Sequence, residues 1–205
     1  PGIAALCERG LARVEDLGGV LEPIALGFSP ERVWDTWLVW RRWSVAARIA
    51  PFLVKPENRA HIKPEALWEY DEGHGLTGMQ TVHACAERTA FHSHMLKLFE
   101  RYDAIALPSA QVWPFDATWR WPKEIAGRPM DTYHRWMEAV IYATFAGLPC
   151  ISMPVGFGAN GLAMGVQLIG KPHGDLALLR LARAFERAGV GPSRSAARGG
   201  AVAAA

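Results

Sequence analysis

Long apolar runs are missing from this sequence of 205 residues. None of its apolar stretches approaches the roughly 18 residues that a membrane-spanning helix needs, so we expect no membrane partner. The first 19 residues also lack the basic segment and the apolar core of a secretory signal, and their apolar spacing is that of an amphipathic helix. Both absences favour a protein that works away from the membrane.

An excess of charge of either sign is missing as well. The formal net charge is +2, and the arginines are scattered rather than clustered, so nothing favours nucleic acid as a partner. Cysteine is scarce, with only Cys7, Cys85 and Cys150. An odd number at wide spacing is neither a disulfide framework nor a zinc-ligand pattern, so we expect no metal and a reducing, cytoplasmic location.

Tryptophan, by contrast, is abundant. Most of the nine tryptophans fall in two stretches, Trp34 to Trp43 and Trp113 to Trp136. The first stretch lies on a predicted helix, and the second begins in a segment rich in proline, residues 108–131, that we predict to be a long loop. Loops of this length are uncommon in compact domains and often have a function. The loop is therefore a candidate binding segment.

Helices are predicted by apolar spacing and by signals at their ends. Ser29 followed by Pro30 is typical of a helix start, and Thr77 with Gln80 has the spacing of a capping box. Gly18 and Gly19 are typical of a helix end. Together with the apolar periodicity, these signals predict helices over residues 3–17, 29–50, 65–70, 78–101, 132–145 and 175–188.

Strands are predicted to be few, apolar and separated by long helices. Short apolar runs predict strands at residues 20–24, 103–107, 150–155 and 162–169, the last two joined as a hairpin. This order favours the α/β class, with a mixed sheet flanked by helices. We predict one domain, or one piece of a domain, over residues 1–190. The remainder, residues 191–205, consists mainly of small residues and arginine and is predicted to be a disordered tail.

Four segments in the second half of the sequence resemble a known family. They read FERYDAIALPS at 99–109, TFAGLPCISMPVGF at 144–157, NGLAMGVQLIG at 160–170 and DLALLRLARAFE at 175–186. In this order they resemble the carboxy-terminal half of the amidase-signature enzymes, and weaker similarity extends over about residues 1–188. The resemblance implies the carboxy-terminal part of the amidase-signature fold, so that residues 1–190 would be an incomplete domain.

The resemblance also implies a function. These enzymes hydrolyse carboxamides with a serine nucleophile, a second serine in a cis peptide and a lysine, and they need no cofactor. Such a site requires a segment of the type Gly-Gly-Ser-Ser-Gly-Gly and a preceding lysine, because the nucleophile needs an adjacent base and backbone amides to hold the oxyanion. The sequence contains no adjacent serines and begins at Pro1 without a methionine. We therefore expect a truncated chain with no catalytic residues, inactive alone and missing the amino-terminal half of its fold.

The pocket residues follow from the same resemblance. In the family, the segment that corresponds to residues 108–129 and the following helix help to wall the acyl side of the substrate pocket. Transferred to this sequence, the candidates are Gln111, Trp113, Trp136, Met137 and Val140. Trp136 and Val140 also have the spacing of an ordinary core face, so a packing role stays open. Tryptophan walls favour a small amide with an apolar or aromatic acyl group.

Other residue patterns suggest chemistry but have plainer explanations. Ser93 and Lys97 share a helix face as a catalytic serine–lysine pair would, yet no oxyanion-binding turn accompanies them. His83, Cys85, His92 and His94 lie close in sequence, but residues two apart on a helix point in different directions and cannot bind one metal ion together. We interpret both groups as ordinary helix surface.

Two further functions stay open beside the small-amide hydrolase. One is a non-catalytic module for assembly or binding, and the other is an amidotransferase A-type subunit. Residues 144–146 and 163–164 depart from the usual family pattern, which favours a divergent member over the amidotransferase. The resemblance leaves a homodimer open.

Overall fold

The computed structural model describes residues 2–189 and confirms the α/β class. The helices are α1 Ile3–Leu11, α2 Pro30–Ile49, α3 Pro64–His74, α4 Gly78–Leu98, α5 Ile141–Ala146 and α6 Asp175–Arg187. The strands are β1 Ala104–Pro108, β2 Glu124–Ile125, β3 Arg128–Pro129, β4 Cys150–Phe157 and β5 Ala163–Gly170. Short 3₁₀ helices cover Ala12–Leu17, Ala50–Val54, Pro56–His61 and Arg135–Val140.

The described residues form two compact units. One contains residues 2–25 and 99–189, and the other contains residues 26–98. The single piece predicted over residues 1–190 stays a prediction, and the predicted tail at 191–205 lies outside the described residues. Among the described helices, none is both long enough and apolar enough to span a membrane.

The first unit is built on a sheet with the strand order β1-β5-β4. Both pairings are antiparallel, so the parallel pairing of a mixed sheet does not occur among the described residues. The outer strands β1 and β4 contain Pro108 and Pro154. Proline has no N–H to donate, and at a sheet edge this need not remove a hydrogen bond between strands. A bulge interrupts the β4 ladder between Pro154 and Gly156.

One face of this sheet packs against α1 and α6. Side chains along β4 and β5 point alternately to the two faces of the sheet. On the face that packs against the helices, Met153 and Val155 of β4 join Met164, Val166 and Leu168 of β5 in the core. The helices contribute Leu6, Cys7, Leu178, Ala182 and Phe185 to the same cluster. The opposite face of β5 carries Gly165 and Gln167, and the candidate site lies on that side.

The second unit contains α2, α3 and α4, and the predicted caps of α2 and α4 are confirmed. The hydroxyl of Ser29 accepts a hydrogen bond from the Arg32 amide at 3.2 Å, which caps α2. The capping box of α4 is also confirmed: the Gln80 amide donates to the Thr77 hydroxyl at 3.2 Å, and the Thr77 amide donates to the Gln80 side chain at 2.8 Å. Both caps satisfy amides that the helix itself leaves unpaired.

Helix α2 packs against both α3 and α4 within this unit. The buried apolar residues of this unit are Val33, Trp34 and Ala46 on α2 and Ala84, Phe91 and Met95 on α4. Glu69 on α3 is only 2% exposed, and its carboxylate accepts a hydrogen bond from Arg41 on α2 at 2.7 Å. Because a buried carboxylate without a partner would be costly, this ion pair specifies how α3 lies on α2.

Four local predictions were wrong. Residues 20–24 form no strand; Val20 is 91% exposed, and without a partner strand an apolar run cannot satisfy its backbone in a sheet. The helix predicted over 132–145 is a 3₁₀ turn followed by the short α5, and α4 ends at Leu98 rather than at residue 101. The loop at 108–131 contains the small hairpin β2–β3, which the sequence did not indicate.

Candidate functional site

A cleft of about 500 Å³ opens on the first unit, on the side of Gly165. The loop after β1 forms one wall, and the adjoining ends of β4 and β5 form the floor. Its aromatic residues are Trp113, Phe115 and Trp136, and the other lining residues are Ser109, Ala110, Val112, Pro114, Ser152, Pro154, Ala163, Met164 and Gly165. Among these described lining residues none is ionisable. The cleft therefore favours an uncharged, largely apolar ligand.

The aromatic wall is held by close packing. A Cβ atom built on Gly158 would lie 2.4 Å from Cη2 of Trp113, so this indole lies directly over the glycine. The ring of Phe115 meets that of Trp136 edge to face, with centroids 5.3 Å apart. It also stacks on Trp119 at 6.3 Å. Such contacts restrict the rings and leave a preformed apolar surface.

Two serine hydroxyls meet at the solvent-exposed surface of this apolar cleft. The Oγ atoms of Ser109 and Ser152 are 2.6 Å apart. Ser109 follows β1 and Ser152 lies on β4, and β5 runs between these two strands. Gly165 of β5 allows the contact, because a Cβ at that position would lie 2.9 Å from one Oγ and 3.1 Å from the other.

Two glutamines tie the walls of the cleft to the sheet. Gln167, which is 4% exposed, donates to the carbonyl of Pro108 at 3.0 Å and to that of Ala139 at 2.7 Å. Gln111 accepts from the Ala139 amide at 2.7 Å and donates to the carbonyl of Arg135 at 3.2 Å. The two amides thus fix the segment that bears Trp136 against the end of β1.

An ion-pair network stabilises the segment that bears Trp136. Arg135 is 5% exposed, and its guanidinium lies 2.9 Å from Asp131 and 3.3 Å from Glu138. Its hydrogen bond holds the pKa of the Asp131 carboxyl below the ordinary value. Burial alone would lower the pKa of Arg135, but the hydrogen bond to Asp131 and the charge of Glu138 outweigh burial and raise it. The segment therefore carries charged groups that support the wall without lining the cleft.

The structure brings together part of the predicted site. Trp113 and Trp136 line the cleft, whereas Gln111, Met137 and Val140 are not among its lining residues. Gln111 contacts backbone instead, and Val140 is 39% exposed. Whether any of the five binds substrate stays a prediction.

Sequence reasoning missed the serine pair and Phe115. Ser109 and Ser152 are 43 residues apart in the chain, so no local pattern joins them. The available signals were indirect: Ser152 alternates with the inward Met153 on a predicted strand, and a glycine interrupts the apolar run of β5. Both signals acquire a meaning only after the strands are placed in order.

The residues interpreted as helix surface are not among those that line this cleft. Ser93 and Lys97 are exposed on α4. His94 hydrogen-bonds the carbonyl of Leu26 through Nε2 at 2.6 Å. Within residues 2–189 no group of three histidine, cysteine, aspartate or glutamate side chains is arranged to hold a metal ion.

The chain is similar to a known family and to curated proteins. A family model described as Amidase matches residues 53–179. The A subunit of glutamyl-tRNA(Gln) amidotransferase from Dehalococcoides mccartyi is 36% identical over 101 residues, which cover 48% of this chain and 19% of that protein. The protein of the same name from Moorella thermoacetica is 27% identical over 212 residues, covering 91% of this chain and 41% of that protein.

Solved structures share the fold. A bacterial aryl acylamidase of the amidase-signature enzymes superposes with a TM-score of 0.80 at 24% identity, over 91% of this chain and 40% of that protein. A 6-aminohexanoate cyclic dimer hydrolase gives 0.74 at 18% identity, over 92% of this chain and 41% of that protein. At these identities the likeness establishes the fold alone. The chain spans less than half the length of each of these four proteins.

Proposed function

Because this chain belongs to the amidase family, we propose that it is the carboxy-terminal part of an enzyme that hydrolyses the amide bond of a small, uncharged molecule. The reaction would break the carboxamide C–N bond with water. On this proposal the chain supplies scaffold and one wall of the substrate pocket, and the reacting serines and lysine belong to the remainder of the fold.

The proposal that catalysis resides elsewhere is supported by the residues of the cleft. Ser109 and Ser152 line it, but among the described lining residues there is no lysine or histidine to take a proton from either hydroxyl. A serine nucleophile needs such a base close by. The family's catalytic segment has two adjacent serines, and this sequence has none.

The character of the cleft supports the choice of substrate. Trp113, Phe115 and Trp136 surround a space of about 500 Å³ in which the described lining residues carry no charge. Flat aromatic walls favour a ligand with a large apolar or planar area. We therefore place the apolar side of the amide substrate here, with Trp113 and Trp136 as binding residues and Gln111 as a residue that positions the wall.

The coding sequence that precedes the codon for Pro1 tests this proposal first. We expect it to encode a Gly-Gly-Ser-Ser type segment and an earlier lysine. Protein that includes that segment should hydrolyse benzamide or a simple anilide, which is measured as released ammonia or aniline. Changing the nucleophilic serine of that segment to alanine should abolish release, whereas Ser93→Ala at an exposed position should leave it unchanged.

The 205-residue chain alone is the negative control for this experiment. We expect no release of ammonia from benzamide by the purified chain. Hydrolysis by this chain, or an upstream sequence without the serine segment, would contradict the proposal. The second result would favour a non-catalytic module derived from the fold.

A component of an amidotransferase is the second candidate. It is favoured by the curated relatives, which are named as the A subunit of glutamyl-tRNA(Gln) amidotransferase. An activity that requires charged tRNA together with a partner protein would support it. Hydrolysis of benzamide at the same rate with and without such a complex would instead support the small-amide hydrolase.

A further inference from the structure

We propose that Ser109 and Ser152 form a polar anchor that recognises one neutral oxygen acceptor on an aromatic ligand bound in the cleft. This inference rests on the proposed function for its expectation of an amide ligand, but it concerns binding rather than hydrolysis. It makes the serine pair the specificity-determining element of an otherwise apolar wall.

The hydrogen bond between the two serines uses only one of their two hydroxyl protons. Each serine carries one hydroxyl proton and two acceptor lone pairs. At an Oγ–Oγ distance of 2.6 Å one hydroxyl donates to the other, whichever of the two is the donor. The second proton remains unshared, because neither hydroxyl has a further hydrogen-bond acceptor among the described residues. The pair thus always offers one donor to a ligand.

The serine pair and the aromatic residues belong to one cleft. Both serines line the cleft that Trp113 and Trp136 also line, so the donor and the aromatic walls face the same space. An aromatic ring against the indoles can therefore direct a substituent toward the hydroxyls. A ligand without an acceptor would desolvate the pair without replacing its water, which costs free energy.

The described lining of the cleft carries no charged group. Among the described residues lining the cleft there is no cation to balance an anion and no carboxylate to balance an ammonium group. Burial of a charged ligand would therefore lack compensation, whereas a carbonyl or carboxamide oxygen needs only the one donor. This selects a neutral acceptor over a carboxylate of the same shape.

Gly165 gives the pair its geometry. Any side chain at this position would meet both Oγ atoms and the carbonyl of Met153, at 2.9, 3.1 and 3.0 Å from its Cβ. Ser109 is held at the same strand, because its amide donates to the Gly165 carbonyl at 2.9 Å. The backbone thus brings the two serines next to each other, and the hydrogen bond between their hydroxyls joins them.

Titration of the ¹⁵N-labelled 205-residue chain with benzamide tests the proposal, with the indole N–H resonances as the readout. Benzamide should shift the resonances of Trp113 and Trp136. Benzoate, which has the same shape but a negative charge, should bind about tenfold more weakly or not at all. Toluene reports the apolar part of the site without an acceptor.

Three variants separate recognition from folding. The double variant Ser109→Ala with Ser152→Ala should lose about tenfold in affinity for benzamide, the value of one net hydrogen bond near the upper end of the usual range. Each single variant should lose less, because the remaining hydroxyl can still donate. Toluene should bind the double variant at least as well as the unchanged chain, which also shows that the cleft has folded.

Several results would overturn the proposal. Unchanged benzamide affinity in the double variant would mean that the pair only joins strands. Equal binding of benzamide and benzoate would show that the cleft does not select a neutral acceptor. Absence of shifts at Trp113 and Trp136 would place any binding elsewhere. If the double variant does not fold, the unchanged chain supplies the second test, because equal affinity for benzamide and for toluene would show that the pair recognises no acceptor. None of these results bears on hydrolysis, which is tested separately.

Discussion

Single glycines determine the shape of the cleft. Gly158 leaves room for the indole of Trp113, and Gly165 leaves room for the hydroxyls of Ser109 and Ser152. At both positions a side chain would approach neighbouring atoms closer than packed atoms normally come. Both glycines contribute by having no side chain, so neither was predicted as a site residue from its own chemistry.

The substitution Gly158→Ala should destabilise the chain and displace Trp113. The added methyl group would lie 2.4 Å from Cη2 and 2.8 Å from Cζ2 of that indole, and overpacking of this kind typically costs about 1–3 kcal/mol. Unfolding in urea measures the change in stability, and the Trp113 indole resonance reports the displacement.

A double-mutant cycle provides the control for Gly158. Phenylalanine lacks the indole atoms that the new methyl group would meet, so Gly158→Ala should cost clearly less in a Trp113→Phe background. The contact with Asn160 Oδ1 at 2.8 Å would remain, so some cost should persist. Equal costs in both backgrounds would show that Trp113 does not lie over Gly158.

At the scale of elements, close backbone approach determines how α3 packs on α2. A Cβ on Gly73 of α3 would lie 2.6 Å from the carbonyl oxygen of Arg42 and 2.6 Å from Cβ of Ala46, both on α2. The buried ion pair between Arg41 and Glu69 lies on the same two helices. Since one of the atoms near Gly73 is backbone, a rotamer change cannot relieve the contact.

The substitution Gly73→Ala should therefore lower the free energy of unfolding by about 1–3 kcal/mol, because α3 must move away from α2. Gly78→Ala at the start of α4 is the matched control. No atom lies within 4 Å of a Cβ at Gly78, and alanine is the better helix former. Thermal unfolding should give a lower midpoint for the first variant and an unchanged or higher one for the second. Equal effects would refute the close packing of α3 on α2.

At the scale of the whole molecule, the two units differ in how they are made from the chain. Residues 26–98 are continuous and contain the mutual contacts of α2, α3 and α4. The other unit joins residues 2–25 to residues 99–189, and α1 from its first segment covers part of the sheet in its second. The continuous unit should thus depend less on distant parts of the chain.

Residues 26–98 expressed alone should be helical and should unfold cooperatively. Their buried apolar residues and the Arg41–Glu69 pair are all present in that segment. Residues 99–189 alone are the comparison, and they should aggregate, because loss of α1 uncovers Val155, which lies against Gly10 of that helix. Far-ultraviolet circular dichroism and size-exclusion chromatography distinguish the two outcomes. A random-coil spectrum for 26–98 would contradict the prediction.

Local features were determined by the sequence itself. The caps at Ser29 and at Thr77 with Gln80 were predicted correctly, because their hydrogen bonds join atoms only three residues apart. The order of apolar runs predicted β1, β4 and β5, and the segments at 144–157 and 160–170 indicated the family. These signals depend on residues that are close in the sequence, so they could be predicted without the packing of distant segments.

Only the tertiary structure decided what the cleft contains. It joined Ser109 to Ser152 across β5, showed that Gln111 contacts backbone, and left residues 20–24 without a strand partner. Each of these outcomes depends on which segments become neighbours and in what register. Register is specified by the packing of the whole sheet. A short segment can predict a strand or a binding residue, but it does not contain the register.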